Sequence, residues 1–138
     1  MNALLALQIF SCFFMTGVLW LVQILIYPGF RLVPASGLGL FHEFHTRKIT
    51  WIVAPLMLTE LFTAAWLAWE RTEPLLIWNL ILVLGAWLLT ALVSVPLHNR
   101  LSHQPEVSIH RLVQTNWPRT ALWTLRSGLW LFFLIQNL

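Results

Sequence analysis

The 138-residue chain has little charge: only 9% of its residues are charged, and aspartate is absent. Because a soluble domain carries about a quarter charged residues, this composition excludes an ordinary soluble globular protein. Cys12 is the only cysteine, so an internal disulfide is excluded as well. The sequence also lacks a Walker phosphate loop, a glycine-rich dinucleotide turn, a nucleophile elbow and a lysine inside an apolar run. These absences exclude nucleotide-dependent, serine-hydrolase and retinal-binding classes.

Apolar residues make up 59% of the chain, and its mean hydropathy is +0.76. Four apolar runs approach the length of about 20 residues that crosses a bilayer. These runs are residues 4–27, 49–69, 75–97 and 120–135. They predict an all-α fold, an antiparallel bundle of four transmembrane helices that forms a single domain over residues 1–138. The first run lacks a basic leading segment, so it is predicted to be a helix rather than a cleaved signal peptide.

The basic residues are concentrated at one end of this predicted bundle. Six of them lie near the connections between helices 1 and 2 or between helices 3 and 4: Arg31, Arg47, Lys48, Arg100, Arg111 and Arg119. Only Arg71 lies at the opposite end. Because short loops rich in Lys and Arg stay in the cytoplasm, both termini are predicted outside, in a multi-pass protein of a bacterial inner membrane. The basic rim favours membrane lipid over nucleic acid as a partner.

An acidic residue, Glu60, lies deep inside the second apolar run, where an ionisable group is costly and needs a partner. Spacings of three, four and seven residues place a mostly polar set on one face of this helix, which is predicted to face inward: His42, His45, Ile49, Leu56, Glu60 and Thr63. Arg126 lies about 10 Å beyond Arg119 along the fourth helix and is the natural counter-charge. Gln23 and Thr16 are predicted to complete the hydrogen bonding of this buried ion pair. Two interpretations stay open: a structural pair that fixes helix register, or a functional carboxylate that moves protons or contacts substrate.

Helices that alternate in direction bring the end of one and the start of the next to the same membrane face. The polar and aromatic residues expected at this rim are Tyr27, His42, His45, His98, Asn116, Trp117 and Arg119. His42, His45 and His98 are predicted to hold a transition metal (Cu, Fe or Zn), or two of them a haem b. The alternative is that these histidines bond the backbone, a phosphate or a substrate. His103 and His110 lie in or beside a predicted soluble loop, residues 99–109, and are expected to be solvated.

Tryptophan is abundant, with nine residues. Four of them, near helix ends, are typical of an interfacial belt: Trp51, Trp69, Trp78 and Trp117. Trp20, Trp87 and Trp123 lie at membrane depth and, with Gln23, are predicted to line a pocket for a flat apolar ligand. Core packing is the alternative role for these rings.

The C-terminal third contains Val-Pro-Leu-His-Asn-Arg-Leu at residues 95–101 and Asn-Trp-Pro-Arg-Thr at residues 116–120. This pattern resembles the anthrone-oxygenase-like family of small four-helix membrane proteins; the first half resembles it only in helix count and in Tyr27-Pro28. The resemblance implies a four-helix bundle and oxygenation of polycyclic aromatic substrates. Asn116 and Arg119 fall on matching positions, whereas His98 departs from the family's usual Pro-Leu-Asn turn toward a side chain that can bind metal.

The resulting hypothesis is a membrane-embedded, oxygenase-like oxidoreductase that acts on a hydrophobic, aromatic small molecule at the cytoplasmic side. The expected catalytic residues are His42, His45, His98, Asn116, Arg119 and Tyr27. The histidines would bind metal or act as acid and base, the amide and guanidinium would orient or charge-stabilise the substrate, and the tyrosine would close the site. The alternative is a non-enzymatic module: a transporter, or a haem-, quinone- or lipid-binding subunit of a larger complex. Association of several copies into a homo-oligomer is open in either case.

Overall fold

The computed structural model describes residues 3–100 and 105–137, with side chains at 3–98 and 109–137. This part of the chain is helical and has no strands, which confirms the predicted all-α class. Helix α1 is Ala3–Leu32 and contains a π-helical turn, Val22–Ile26; α2 is Ala35–Glu70. Helix α3 joins Pro74–Leu89, a second π-helical turn at Thr90–Ser94, and Val95–Arg100. Helix α4 is Pro105–Gln136.

Prolines set several of these boundaries. Pro34 precedes the first turn of α2 in an extended conformation, and Pro74 begins α3. A proline fits the first turn of a helix because its missing N–H would have no partner there. Pro55 and Pro118 lie inside α2 and α4 and face outward.

Cross-helix hydrogen bonds show that neighbouring helices alternate in direction. Gln8 near the start of α1 accepts a hydrogen bond from Thr63 near the end of α2. At the opposite end of the bundle, Tyr27 late in α1 contacts His98 late in α3 at 2.9 Å. The antiparallel order predicted from the sequence therefore brings distant residues to a common pole.

In the part of the chain that the structure describes, three helices are long and apolar enough to cross a membrane: Ala3–Leu32, Ala35–Glu70 and Pro74–His98. The 36 residues of α2 extend about 54 Å, well beyond a hydrocarbon core of about 30 Å, so one end must project from the apolar layer. Large apolar side chains such as Leu25, Trp66 and Phe132 are at least 60% exposed, as lipid-facing residues should be. Within the described residues, α4 does not meet the same criterion, so a fourth span at 120–135 stays a prediction.

The loop predicted at residues 99–109, with a helix possible again from about Val107, is wrong at both of its ends. Helix α3 continues to Arg100, and α4 begins at Pro105, earlier than the sequence suggested. Pro105 suits a first helical turn, because its missing N–H would have no partner there. His103 lies outside the described residues, and His110 is exposed on α4.

The core has two apolar clusters at different depths. One is built on α1 by Ile9, Met15 and Leu19 and is completed by the buried rings of Trp123 and Trp130. The other, toward the histidines, contains Val22, Tyr27, Phe30, Leu38, Ile109 and Leu112. The polar face predicted for α2 also points inward, since His45, Glu60 and Thr63 are buried. The bundle interior is therefore apolar packing interrupted by discrete polar layers.

Candidate functional site

Two π-helical turns place the central groups of the site. Val22–Ile26 comes immediately before Tyr27, and Thr90–Ser94 lies one turn before His98. A π turn contains an extra residue, which rotates the following side chains relative to a regular helix, and such turns are frequent at functional sites. Here they direct Tyr27 and His98 toward each other across the bundle.

Tyr27, His98 and His42 form a continuous hydrogen-bonded chain. The hydroxyl of Tyr27 lies 2.9 Å from Nε2 of His98, and Nδ1 of His98 lies 2.9 Å from Nε2 of His42. The two imidazole rings have centroids 5.1 Å apart and planes 21° apart, so they lie nearly in one plane, as a hydrogen bond between ring nitrogens requires. A neutral imidazole has one donor and one acceptor nitrogen, so the chain has two complete hydrogen-bonding arrangements that differ in every proton position. Conversion from one arrangement to the other moves one proton along the whole chain, between the Tyr27 end and the His42 end.

His45 packs beside this chain. Its ring centroid is 6.5 Å from that of His98, and it meets the rings of Tyr27 and Phe30 edge-on at 6.1 and 5.4 Å. Phe30 is completely buried and also contacts His42 edge-on. These aromatic contacts fix the rings in position, because edge-to-face packing prefers a narrow range of orientations.

The histidines do not form a ready metal site. Among the described residues, no group of three or more His, Cys, Asp or Glu side chains is arranged to hold a metal ion. Both ring nitrogens of His98 already lie in hydrogen bonds, one to Tyr27 and one to His42, and one would have to be freed for ligation. A metal or haem b would have to displace one of these two hydrogen bonds to bind His98, and the metal and haem predictions stay untested.

A cavity of about 460 Å³ extends from the histidines toward the bundle centre. His42, His45, His98 and Tyr27 line it at one end, and Met57 and Trp87 at the other. Most of its remaining wall is apolar: Val18, Leu19, Val22, Ile49, Val53, Ala54 and Val95.

The cavity opens sideways between α2 and α3. The exposed residues of its wall are Thr50 on α2 and Val95 on α3. Helix α2 packs against the Pro74–Leu89 part of α3, whereas the later part of α3 packs mainly on α4. The backbones of the two helices are therefore farther apart along the cavity, although the side chains of His42 and His98 still bond across the gap at one end.

Of the four residues predicted to line a pocket, only Trp87 lines this cavity. Trp20 is 37% exposed and donates its indole N–H to Thr124 on the bundle surface. Gln23 is buried and donates to the carbonyl of Val113, and Trp123 is completely buried in the core. Helical spacing shows that such residues face inward but does not show which of two inner layers they join.

The sequence reasoning missed several wall residues, among them Thr46, Thr50, Thr90 and Ser94. Thr46 and Thr50 are four residues apart, and each donates a hydrogen bond to a carbonyl of its own helix. Their four-residue spacing after His42 was a signal that could have found this wall.

The rim arginine lines the cavity, whereas the rim asparagine does not. Arg119 is only 6% exposed, and its Nη1 donates to Ser94 at 3.2 Å and to Asn116 at 3.3 Å. The side-chain amide of Asn116 donates in turn to the side-chain amide oxygen of Gln23 at 2.9 Å. Asn116 therefore positions the guanidinium and has no wall contact of its own.

The deep layer contains the predicted ion pair, with Nη1 of Arg126 3.0 Å from Oε2 of Glu60. The same carboxylate oxygen accepts the indole N–H of Trp123 at 3.0 Å, and Nε of Arg126 donates to Asn79 at 3.2 Å. Gln23 and Thr16, expected to complete this pair, contact other groups. Thr16 bonds Ser127 and the carbonyl of Trp123. The pair lies outside the cavity wall.

Comparisons with protein-family models, curated proteins and solved structures find no match to this chain. The resemblance to the anthrone-oxygenase-like family therefore stays a hypothesis, and a functional proposal depends on the geometry of the site.

Proposed function

We propose that this chain is a membrane-embedded, oxygenase-like oxidoreductase that binds a hydrophobic aromatic small molecule and transfers a proton through Tyr27, His98 and His42. The observation that supports it is the hydrogen-bonded chain of these three groups at the polar end of an apolar cavity.

The hydrogen-bonded chain of Tyr27, His98 and His42 has an inner and an outer end. Tyr27 is 3% exposed and lines the cavity, whereas His42 is partly exposed at the rim. A proton taken from a bound molecule near Tyr27 can therefore leave through His98 to His42 and reach water. Positioned acid–base groups of this kind accelerate reactions by about 10²–10⁴-fold.

The cavity suits a flat apolar ligand. Its volume of about 460 Å³ lies within the range of about 300–1,000 Å³ that small-molecule sites occupy. Such a site has mostly apolar walls and a few converging polar groups, as here. Removing a proton from a methylene group beside an aromatic ring leaves an electron-rich carbanion, and dioxygen is the oxidant for it. The carbon loses both hydrogens and gains one oxygen atom as a carbonyl, and the second oxygen atom leaves as water.

The membrane topology belongs to the same proposal. Helix α4 lies alongside α1 from the Thr16–Ser127 contact to the Gln23–Asn116 contact, so a bilayer that contains α1 also contains α4. Four spans with the basic rim in the cytoplasm put the histidines on the cytoplasmic side, both termini outside, and the protein in an inner membrane.

The test is turnover of hydroxylated and keto polycyclic aromatic compounds by the purified protein in lipid nanodiscs, measured as dioxygen consumption and product formation. His98→Gln should lower the rate by about 100-fold or more, because the central group of the chain is lost. Tyr27→Phe should lower it in the same assay. His110→Gln is the matched control, since that histidine is exposed on α4, and it should keep the wild-type rate.

A quinone- or lipid-binding subunit is the second candidate, and the sideways opening of the cavity favours it. It predicts tight binding of such a molecule with no chemical change. Binding without turnover across the panel would contradict the enzyme proposal and support this one. A transporter is disfavoured because the polar groups beyond the cavity, Glu60 and Arg126, are buried and bonded to each other.

A further inference from the structure

Arg119 is a buried cation whose protein partners are neutral. Its guanidinium donates to the hydroxyl of Ser94 and to the amide oxygen of Asn116. Within the described residues, the one ion pair joins Glu60 to Arg126 instead. An arginine cannot lose its charge as a lysine can, and a cation inside a membrane protein is retained when it has a partner or a function.

The remaining acidic residues cannot serve as that partner. The chain has five acidic residues, all glutamates. Glu43 is exposed on α2, while Glu70 and Glu73 are exposed at the opposite pole of the bundle. Glu106 precedes Arg119 by thirteen residues on the same helix, which separates them by about 20 Å. Among the residues whose side chains the structure describes, no glutamate is therefore placed to neutralise this guanidinium.

Two hydrogen-bond donors of the cavity wall have no acceptor. Nε of Arg119 is buried without a partner, and so is the indole N–H of Trp87. Both residues line the cavity, Arg119 near the tyrosine end and Trp87 at the inner end. Buried donors are normally paired, so a group that enters this cavity has acceptors to supply.

We infer that the natural ligand is an aromatic molecule with one anionic oxygen group, a carboxylate or an ionised enol or phenol, which Arg119 binds. The inference rests on the proposed function and specifies its substrate class. The ligand charge neutralises the guanidinium, and its oxygen accepts the free N–H of Arg119. The apolar body lies against the wall formed by Val53, Ala54 and Met57. A charge-assisted hydrogen bond of this kind is stronger than a neutral one.

The experiment compares probes of equal shape and different charge. Wild-type protein in phosphatidylcholine nanodiscs is titrated with two pairs of probes. The first pair is 2-naphthoate, an anion, and neutral 2-naphthamide. The second pair is 2-hydroxy-1,4-naphthoquinone, which is an ionised enol at neutral pH, and its neutral 2-methoxy ether. The dissociation constants are measured by equilibrium dialysis. We expect the anion of at least one pair to bind about 10- to 100-fold more tightly than its neutral partner. Which pair shows the preference distinguishes a carboxylate ligand from an enolate ligand.

Variants at Arg119 assign the preference to this residue. Arg119→Gln should bind the anion and its neutral partner equally, whereas Arg119→Lys, which keeps the charge, should retain a reduced preference. Arg111→Gln is the matched control, because Arg111 is exposed on the same helix. Each variant is first checked for wild-type helicity and elution volume. If Arg119→Gln does not fold, the comparison of wild type with Arg119→Lys carries the test.

The outcomes separate this inference from the proposed function. Neutral probes that bind as tightly as the anions would overturn the inference and leave the ligand site standing. An anion preference that survives in Arg119→Gln would also overturn it. Failure of all four probes to bind the wild-type protein would overturn both the aromatic-ligand site and the inference.

Discussion

Replacing Glu60 by glutamine should strongly destabilise the bundle, although the two side chains have nearly the same shape. The carboxylate and Arg126 are 1% and 0% exposed, so neither charge is screened by solvent. A glutamine oxygen can still accept from Trp123 and Arg126, which leaves the lost charge as the main change. Breaking a buried pair from one side costs about 3–5 kcal/mol, because the other charge stays buried and unpaired. We expect a loss in that range.

A second substitution tests the origin of that loss. Arg126→Met in the wild-type background removes the partner of Glu60 and should also destabilise. The same change in the Glu60→Gln background removes an unpaired cation, so it should restore part of the lost stability. Because Arg126→Met should cost about 3–5 kcal/mol in the wild type and should stabilise the Glu60→Gln background, its effects in the two backgrounds should differ by more than about 3 kcal/mol.

The assay is reversible unfolding by SDS in mixed detergent micelles, followed by tryptophan fluorescence. Glu43→Gln provides the control, since Glu43 is exposed and its loss should change stability by no more than about 0.5 kcal/mol. Equal effects of Arg126→Met in both backgrounds would refute the ion-pair reasoning. A Glu60→Gln protein that is as stable as the wild type but has lost turnover would instead make Glu60 a functional carboxylate.

Two further substitutions test the packing around the histidines and the position of the ligand in the cavity. Phe30→Ala should destabilise the folded protein by about 3–5 kcal/mol in the same SDS assay, because the ring is completely buried against His45. Phe132→Ala is its control, since Phe132 is 60% exposed. Equal losses of stability in the two variants would contradict the packing argument. Ala54→Trp should fill part of the cavity and weaken binding of 2-naphthoate by about tenfold or more, about 1.4 kcal/mol, in equilibrium dialysis. Ala65→Trp, exposed on the same helix, should bind like the wild type, and equal affinity in both variants would place the ligand elsewhere.

Much of the fold followed from periodicity. Spacings of three, four and seven residues identified the inner face of α2, and alternation of helix direction brought His98 to His42 and Tyr27. These inferences succeed because they depend only on helical geometry and on connection lengths too short for parallel neighbours.

The partners of individual side chains were harder to predict. Trp123 was expected in the cavity but donates to Glu60, and Gln23 was expected at the ion pair but bonds Asn116. The choice between adjacent inner layers depends on the axial offset between helices, which no single helix encodes. The two π turns change that offset locally, and their formation depends on tertiary packing rather than on a residue pattern.

The gap between α2 and α3 sets the route by which a ligand reaches the cavity. Its edges, Thr50 and Val95, are exposed on the sides of their helices, so in the proposed transmembrane bundle lipid would cover the gap and a solute would arrive by diffusion within the leaflet rather than from bulk water. Occupancy would then follow the mole fraction of ligand in the surrounding lipid. Diluting the protein with extra phospholipid at constant total ligand should lower saturation, as in surface-dilution kinetics.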